Sequence, residues 1–438
     1  MSRRTERVPE RVEIVDLTHD GRGVAKTQGK TFFIDGALPG EIVDAVRVRR
    51  RRNFDEGRVT SLIVPAAERV EPICAHFGVC GGCSLQHLAG EAQLKAKQKT
   101  LQENLRRIGN VEPNQFLEPI AGPPVGYRRR ARLGVRFVKG KGRVLAGFRE
   151  RFSSFVADIE RCPVLASPAD DLVKPISELI GALSLRQRVP QVEIAIGDNR
   201  AALVFRVLDD PTDPDLDEFR LFREQHNVDV YLQRGGLDTV EALDGISTPL
   251  EYTLPEFELT FRFLPTDFIQ VNADINRQMV RKAIELLAPG PGDKLLDLFC
   301  GLGNFTLPIA RSGASVVGIE GDETLVERAR QNTAGNSVGG VEFHVANLFA
   351  DCQGLEWANR KYDAVLLDPP RAGARDVLPV IARSEARRVV YVSCNPGTLA
   401  RDVGILVDQY GFQLEGAGVI DMFPHTAHTE SIAQLTRR

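Results

Sequence analysis

Apolar and polar positions divide the chain into three stretches with different periods. Between about residues 8 and 63, apolar residues alternate with polar ones and glycine turns recur at short intervals, as in RVEIVDL, THDGRGVA and GRVTSLIV. Period-two alternation predicts strands, and short strands separated by frequent turns predict a small β-barrel. We therefore expect residues 1–65 to form an N-terminal β-barrel.

The middle of the chain also carries strand patterns, interrupted by two helical intervals. RARLGVRFV, QVEIAIG, AALVFRV and LEYTLPEFELTFRFLP have the pattern of strands, whereas EAQLKAKQKTLQENLRRIG and PADDLVKPISELIGALS have that of helices. We predict a central β-rich domain over residues 66–265. We also expect the helix near residues 90–108 to pack on the domain that follows.

From about residue 266 onward, strand and helix patterns alternate. The strands are KLLDLF, SVVGIE, YDAVLLDPP and RRVVYVSC, and the stretches between them predict helices. Regular alternation implies a parallel sheet, so residues 266–438 are predicted to form an α/β domain. Because ligands of open α/β sheets bind at the carboxyl ends of the strands, residues that directly follow these strands are the candidates for chemistry.

The composition is that of a globular protein with locally concentrated basic charge. Of the 438 residues, 43% are apolar and 26% are charged, and the net charge is -3. No stretch reaches the roughly 18 to 20 apolar residues of a membrane span and no secretory signal is visible, so a cytoplasmic location without membrane attachment is expected. Two basic runs nevertheless leave contacts with the phosphates of an anionic polymer such as a nucleic acid open. We place these contacts on Arg47, Arg49 to Arg52 and Arg128 to Arg130.

One strand–turn–helix segment indicates a cofactor site. LLDLFCGLGNFTLPIA combines a buried strand with a turn at Gly301 and Gly303, but it has Asn304 and no third glycine where a pyrophosphate binder would need one. Glu320 ends the next strand, where a carboxylate can accept hydrogen bonds from ribose hydroxyls, and Asn347 follows a third strand. These features resemble the S-adenosylmethionine site of class I, Rossmann-like methyltransferases more than an NAD-binding domain.

Further motifs lie at the ends of the last strands. The fourth strand ends in LLDPPRAG, which contains Asp368 and Arg371, and the fifth ends in YVSCNPGTLARD, which places Cys394 between strand and loop. HTAHTES near the end of the sequence contains Glu430. Together with FIQVN at 268–272 and DLFCGLGNF, these motifs resemble those of the RNA uracil-5-methyltransferase family. The match spans about residues 266–438.

The resemblance implies covalent catalysis on a uracil ring. Uracil C5 is a poor nucleophile, and addition of a thiolate at C6 converts the ring to an enolate whose C5 can take a methyl group. Cys394 would be the nucleophile, and Glu430 would remove the C5 proton before the thiolate leaves. Asp368 and Arg371 would help to position the uracil. S-adenosylmethionine would supply the methyl group, and the residues implied to contact it or line its pocket are Gln270, Phe299, Asn304, Glu320, Asn347 and Asp368.

Two features of the N-terminal half indicate RNA binding and a metal cluster. GRGVA and FIDGALPGEIV resemble the TRAM domain, an OB-like RNA-binding barrel. Cys74, Cys80 and Cys83 are spaced C-x5-C-x2-C, and Cys162 precedes a proline. This spacing alone fits either a structural zinc or an iron–sulfur cluster. The ribosomal-RNA branch of the family carries a 4Fe-4S cluster on this arrangement, so the resemblance implies the same cluster on these four cysteines.

The motifs leave alternatives for the substrate and for the class of function. The tRNA branch typically lacks both the cluster and the barrel, so their combination favours 23S rRNA as the partner, with tRNA as the alternative. A cytosine-5-methyltransferase would carry P-C and T-C-S motifs, and the chain has neither. The intact SCNP and HTAHTES motifs count against a non-catalytic RNA-binding iron–sulfur protein. No obligate protein partner is inferred.

Overall fold

The computed structural model describes residues 8–437, which form two compact units. The first unit contains the residues up to Thr100 together with Arg149–Ala157 and Phe423–His428. The second contains Leu101–Phe148, Asp158–Met422 and the residues from Thr429 onward. Within the described part of the chain, none of the helices has both the length and the apolar character needed to cross a membrane.

Six strands form the sheet of the first unit: β1 (Glu10–Glu13), β2 (Asp16–Leu17), β3 (Gly23–Thr27), β4 (Lys30–Asp35), β5 (Ile42–Arg50) and β6 (Phe54–Val64). Their order is β1-β5-β6-β4-β3-β2, and only β4 and β6 are parallel. Alternate side chains are buried together on one face, among them Phe32 and Ile34 in β4 and Val43 and Ala45 in β5. The strands predicted from the alternating pattern are therefore confirmed.

The helix predicted near residues 90–108 is present. Helix α1 (Gly90–Asn104) continues into a π-helical turn, Leu105–Gly109, and a short strand, β7 (Gln115–Phe116), follows. Leu101 and Leu105 are buried in the same apolar cluster as the strands of the C-terminal sheet. The end of this helix is therefore part of the core of the second unit.

The central part of the second unit is a six-stranded sheet. Its strands are β8 (Arg130–Val138), β9 (Arg143–Gly147), β10 (Gln191–Ile196), β11 (Ala201–Arg206), β12 (Asp229–Gln233) and β13 (Val240–Ala242), in the order β13-β12-β11-β10-β8-β9. Two helices accompany them, α2 (Val173–Ala182) and α3 (Asp213–His226). A separate hairpin follows, β14 (Leu250–Leu254) and β15 (Leu259–Phe263). The predicted β-rich character of this stretch is confirmed, and α2 matches the second predicted helical interval.

Helix α3 is an element that the sequence reasoning missed. The Thr212 hydroxyl accepts from the backbone N–H of Asp215, and the Asp215 carboxylate accepts in return from the N–H of Thr212. This reciprocal cap, with a proline in the first turn, is a recognised signal for the start of a helix. The stretch was interpreted as mostly β because strand patterns surround it on both sides.

The remaining strands form an eight-stranded sheet together with β7. They are β16 (Lys294–Leu298), β17 (Ser315–Glu320), β18 (Val341–Val345), β19 (Ala364–Leu367), β20 (Arg388–Ser393), β21 (Gln413–Ile420) and β22 (Glu430–Thr436). The order is β18-β17-β16-β19-β20-β22-β21-β7. Five helices belong to this part of the chain: α4 (Ala273–Leu287), α5 (Thr306–Arg311), α6 (Glu323–Gly335), α7 (Leu378–Arg383) and α8 (Pro396–Tyr410).

The predicted parallel sheet is confirmed for five strands. β18, β17, β16, β19 and β20 are parallel, so their carboxyl ends share one edge, which we call the strand-end edge. β22 runs antiparallel to β20, and β21 runs antiparallel to β22. The chain order reverses between β16 and β19, which is where ligands bind in sheets of this type.

Candidate active site

The turn after β16 brings a backbone amide to the strand-end edge. Phe299, Gly301 and Gly303 have φ values of 63°, 54° and 95°, so the chain turns sharply before α5. Gly303 is needed here because a Cβ at this position would lie 2.7 Å from Cδ1 of Leu307. The N–H of Gly301 donates to Oε2 of Glu320 at 3.1 Å, which ties this turn to the end of β17.

Polar and aromatic groups from three strand ends face the same edge. Glu320 ends β17 and its Oε1 accepts from the next two backbone amides, at 2.6 and 3.1 Å. Asn347 follows β18, and its Oδ1 accepts from the N–H of Phe349 at 3.0 Å. The rings of Phe299 and Phe349 lie 5.7 Å apart. The sequence reasoning did not single out Phe349, because an aromatic residue in a loop has no periodic pattern of its own.

Asn304 is held by other side chains of the protein. Its Oδ1 accepts from the hydroxyl of Tyr252 and from Nδ2 of Asn276, both at 3.0 Å, and its Nδ2 donates to Oδ1 of Asn276 at 2.9 Å. Burial raises the pKa of Tyr252 well above its ordinary value, so this hydroxyl stays protonated and donates. The amide of Asn304 therefore fixes the start of α5 against α4 and β14.

Two carboxyl groups lie beneath the edge in a poorly solvated setting. Asp297 accepts from Oγ1 of Thr306 at 2.5 Å, and its Oδ1 has no hydrogen-bond partner among the described residues. Burial raises the pKa of Asp297 to about 7, and the charges of Asp368 and Glu320 act in the same direction. Burial also raises the pKa of Asp368 to about 7, although the hydrogen bond that Asp368 accepts from Nε2 of Gln270 at 3.3 Å acts to lower it.

Cys394 lies directly between β20 and α8. Asn395 caps the helix by accepting a 3.0 Å hydrogen bond from a backbone N–H of the first turn. The thiol belongs to a half-buried residue. Burial, followed by the carboxylates of Glu430 and Asp368, raises the pKa of Cys394 to about 11, and the guanidinium of Arg371 opposes them. The thiol therefore has a cation and two carboxylates as its charged neighbours.

Strand pairing brings Glu430 to the same place. β22 is antiparallel to β20, with Ser431 opposite Ser393. Because Glu430 precedes Ser431 and Cys394 follows Ser393, the two lie side by side on neighbouring strands. Glu430 is buried, with 6% of its surface exposed. The structure thus brings together the residues predicted as nucleophile and as base.

The first half of α8 also holds the loop that follows β19. This loop, residues 371–374, lies between the strand that carries Asp368 and helix α7. Nδ2 of Asn395 donates to the carbonyl of Arg371 at 3.2 Å, and Nη2 of Arg401 donates to the next carbonyl at 2.9 Å. Successive backbone carbonyls of the loop are therefore fixed by the helix that begins beside Cys394.

Asp402 completes this attachment. Its Oδ2 accepts from the N–H of Ala374 and from the hydroxyl of Tyr391, both at 2.7 Å, and its Oδ1 accepts from Nε of Arg401 at 2.8 Å. The carboxylate is fully buried. Only glycine fits at position 373, because a Cβ there would lie 2.6 Å from the same Oδ2. The sequence reasoning gave no role to Arg401 and Asp402, because nothing in the sequence shows which loop they reach.

Three of the four predicted cluster ligands lie in one loop of the first unit. Cys74, Cys80 and Cys83 are half-buried, and the N–H of Gly82 donates to Sγ of Cys80 at 3.4 Å. Hydrogen bonds from backbone amides to sulfur are a feature of cysteines that bind metal clusters. The loop therefore has one property that an iron–sulfur site requires.

The fourth predicted ligand, Cys162, belongs to the second unit. It is buried, and its N–H donates to the carbonyl of Asp170 at 3.0 Å. Across residues 8–437, no three His, Cys, Asp or Glu side chains are grouped so that they could hold a metal ion. The structure therefore does not support the predicted iron–sulfur site, and the prediction of the cluster depends on the family resemblance.

Several arginines predicted to contact phosphate bind acidic residues of the protein itself. Arg47 has 16% of its side chain exposed, pairs with Asp55 at 2.9 Å and lies over the ring of Phe32 at 4.9 Å. Arg129 and Arg130 pair with carboxylates of the central part of the second unit. Because these guanidinium groups are already used within the fold, the prediction is corrected for these three residues.

The other arginines of the first run are exposed. The pairing of β5 with β6 shifts register between Arg47 and Arg49, so the alternation of inward and outward side chains ends there. Arg49 is 61% exposed and lies 3.9 Å from a carboxylate oxygen of Glu56. Arg50–Arg52 are also exposed. Positive surface in the first unit is therefore concentrated at the end of β5.

The sheet and its strand-end edge define a class of protein. Five parallel strands, a glycine turn after β16 and an acidic residue at the end of β17 are the elements of the Rossmann-like, S-adenosylmethionine-dependent methyltransferase fold. The tRNA (uracil-54, C5)-methyltransferase of Pyrococcus abyssi in complex with S-adenosyl-L-homocysteine aligns with a TM-score of 0.75 and 26% identity. The alignment covers 97% of this chain and 99% of that chain. The predicted methyltransferase fold is confirmed.

The chain belongs to the tRNA (uracil-5-)-methyltransferase family, whose model matches residues 90–438. A model of the TRAM domain matches residues 3–59. A relative from Methylococcus capsulatus is 50% identical over 430 residues, which are 98% of this chain and 97% of that protein. A relative from Thiobacillus denitrificans is 49% identical over 428 residues, which are 97% of this chain and 99% of that protein. Both are named 23S rRNA (uracil(1939)-C(5))-methyltransferase RlmD.

Proposed function

We propose that this protein methylates C5 of a uridine in 23S rRNA. The observation that carries the proposal is the pairing of β20 with β22, which places Cys394 beside Glu430 at the strand-end edge. A thiol and a carboxylate side by side suit addition to C6 followed by removal of the C5 proton. The relatives named for this reaction match nearly the full chain and support ribosomal RNA as the substrate. Because the proposed substrate is ribosomal RNA, we infer that the enzyme acts in the cytoplasm.

The residues at the strand-end edge fit S-adenosylmethionine, which when bound supplies the methyl group for transfer. We assign the residues that contact the cofactor or line its pocket as Gln270, Phe299, Asn304, Glu320, Asn347 and Asp368. The paired rings of Phe299 and Phe349 provide an apolar surface for an adenine, and the carboxylate of Glu320 can accept from ribose hydroxyls. Asn304 acts through its contacts with Tyr252 and Asn276, so it shapes the pocket wall.

Cys394 and Glu430 act in sequence in the proposed reaction. The thiolate of Cys394 forms a bond with C6, and the electron pair of the C5–C6 double bond moves into the ring as an enolate. C5 then takes the methyl group. Glu430 accepts the remaining C5 proton, the double bond forms again, and the thiolate leaves from C6. Arg371 favours the thiolate, because it is the cation that opposes the raised pKa of Cys394.

The proposal is tested by incubating purified protein with deproteinised ribosomal RNA and, separately, with tRNA. Mass spectrometry of the digested RNA should find 5-methyluridine in 23S rRNA with the wild type and none with Cys394→Ala. Binding of S-adenosylmethionine to Cys394→Ala should stay within about twofold, because the thiol is not among the assigned cofactor contacts. Substantial turnover by Cys394→Ala would exclude the covalent mechanism, and methylation of tRNA alone would reassign the substrate.

Glu430→Gln should separate the two halves of the reaction. Addition and methylation proceed without a base, whereas elimination stalls, so methylated RNA should stay covalently attached and migrate with the protein in a denaturing gel. Glu385→Gln is the matched control, because Glu385 is exposed and precedes the amino end of β20, whereas Cys394 follows the other end of that strand. This variant should release product as the wild type does. Release at the wild-type rate by Glu430→Gln would assign the proton to another group.

We further propose that Cys74, Cys80, Cys83 and Cys162 hold a 4Fe-4S cluster. The support consists of the family resemblance, the three cysteines of one loop and the hydrogen bond from Gly82 to Cys80. Protein purified without oxygen should contain about four iron and four sulfide ions per chain. Cys80→Ser and Cys83→Ser should lower both contents, whereas Cys352→Ala should not. Stoichiometric zinc in anaerobic preparations would contradict the cluster.

A further inference from the structure

Two phenylalanines of the first unit are exposed on one turn. Phe152 and Phe155 belong to the sequence RERFSSF at 149–155, and 76% and 70% of their surfaces are exposed. Aromatic side chains stabilise a fold by leaving water, so these two rings contribute little to folding in their present positions. The guanidinium of Arg151 lies 5.7 Å from the ring centre of Phe152. The turn therefore presents two aromatic side chains to solvent, with the Arg151 guanidinium against one of them.

The backbone at Phe152 is unfavourable for a bulky residue. Its φ of 59° lies in the left-handed region, which glycine adopts without penalty and which large side chains rarely adopt. An aromatic residue at position 152 is therefore unfavourable in two respects. Its backbone is strained, and its ring is left in water. A strained and exposed aromatic side chain is a sign that its role lies outside the stability of the fold.

The base of the turn is fixed within the first unit. The N–H of Glu150 donates to the carbonyl of Phe155, and the N–H of Arg151 donates to the carbonyl of Val79, both at 2.9 Å. The guanidinium of Arg151 pairs with Asp35 of β4 at 2.7 Å, with only 11% of the arginine side chain exposed. These bonds fix the backbone of the turn before any ligand binds, which lowers the ordering cost of an interaction.

We propose that Phe152 and Phe155 form a stacking platform for unpaired bases of the RNA substrate, outside the active site, with Arg149 contacting a neighbouring phosphate. Aromatic faces stack on any unpaired base, and an adjacent arginine attracts the backbone. Arg149 is exposed at the start of the turn, where its Nη1 lies 3.4 Å from the carbonyl of Ser154. The inference depends on the proposed function, which makes RNA the substrate. The TRAM domain in the same unit favours RNA over a protein partner.

The platform predicts opposite effects of one substitution on stability and on RNA binding. Phe152→Gly should raise the Tm, because it relieves the left-handed backbone, and should weaken binding of a 23S rRNA fragment. Phe155→Leu should weaken binding while Phe155→Tyr retains it, because stacking requires a ring. Each loss should be about five- to 150-fold in Kd, as measured for base stacking on aromatic side chains. The Kd is measured by fluorescence anisotropy at fixed salt.

The control is Leu237→Ser in the second unit, at a side chain that is 68% exposed, and it should change neither the Tm nor the Kd. Kd values of Phe152→Gly and Phe155→Leu within twofold of wild type would overturn the platform, even if the enzyme still forms 5-methyluridine. Loss of a dimer in these variants, with RNA affinity unchanged, would assign the rings to a second copy of the chain. Absence of 5-methyluridine with the wild type would instead contradict the proposed function.

Discussion

Opposing charges surround the thiol of Cys394. Burial and the carboxylates of Glu430 and Asp368 raise its pKa to about 11, and Arg371 acts against them. At pH 7 only about one thiol in ten thousand is then ionised in the free enzyme. In the proposed reaction the thiolate is needed only when a uracil lies in the site, and the raised pKa favours the protonated thiol in the free enzyme.

The reactivity of Cys394 should therefore depend on pH and on its neighbours. The thiolate is the nucleophile, so alkylation by iodoacetamide should rise about tenfold per pH unit up to a pH near 11. Glu430→Gln removes a negative charge and should speed alkylation at pH 8 by about two- to tenfold. The measurement is mass spectrometry of the peptide that contains Cys394. An unchanged rate in Glu430→Gln would mean that the carboxylate does not act on the thiol.

Helix α8 connects Cys394, the proposed nucleophile, to the loop that carries Arg371. Its first residues follow Cys394, and Asn395, Arg401 and Asp402 hold the backbone of residues 371–374. The position of the Arg371 guanidinium beside the thiol therefore depends on this attachment. A disturbance at Asp402 should reach the thiol although Asp402 contacts neither the thiol nor the proposed substrate site.

Asp402→Asn should raise the pKa of Cys394 and lower kcat, because the loss of the charge on Asp402 releases Arg401 and loosens the loop. Cofactor affinity should change little. Loss of a charge-assisted hydrogen bond should also cost about 1.5–3 kcal/mol of stability. Asp408→Asn, at an exposed aspartate on the same helix, is the control. A lower Tm with an unchanged pH profile of alkylation would show that Asp402 serves the fold alone.

The parallel strands of the C-terminal sheet and the residues at their ends could be predicted from the sequence, because buried parallel strands are apolar runs and their ends are marked by Glu320, Asp368 and Cys394. The strands β7, β21 and β22 at the other side of the sheet were not predicted. Helix α3 was missed because its capping signal is local and strand patterns surround it. The bonds from Arg401 and Asp402 to residues 371–374 could not be predicted. They join segments that are distant along the chain, and no local pattern specifies such a contact.

Across the whole molecule, arginines serve the fold as well as any partner. Arg47, Arg129 and Arg130 belong to basic runs in the sequence but pair with carboxylates, whereas Arg49–Arg52 stay exposed. Within the first run, Arg47 and Arg49 lie on either side of a register shift in the pairing of β5 with β6, which only the pairing of strands reveals. Charge runs in a sequence therefore locate candidate surfaces, and the sheet decides which members of a run reach solvent.

The pairing of β20 with β22 also sets the distance between opposed residues of the two strands. The Cβ atoms of directly opposed residues on neighbouring strands lie about 4.5–5.5 Å apart. In the proposed reaction Cys394 and Glu430 act on adjacent ring atoms, and the backbone pairing that ends at Ser393 and Ser431 sets the distance between these two residues. A substitution in a surrounding loop should therefore leave the distance between Cys394 and Glu430 unchanged, as long as β20 and β22 remain paired.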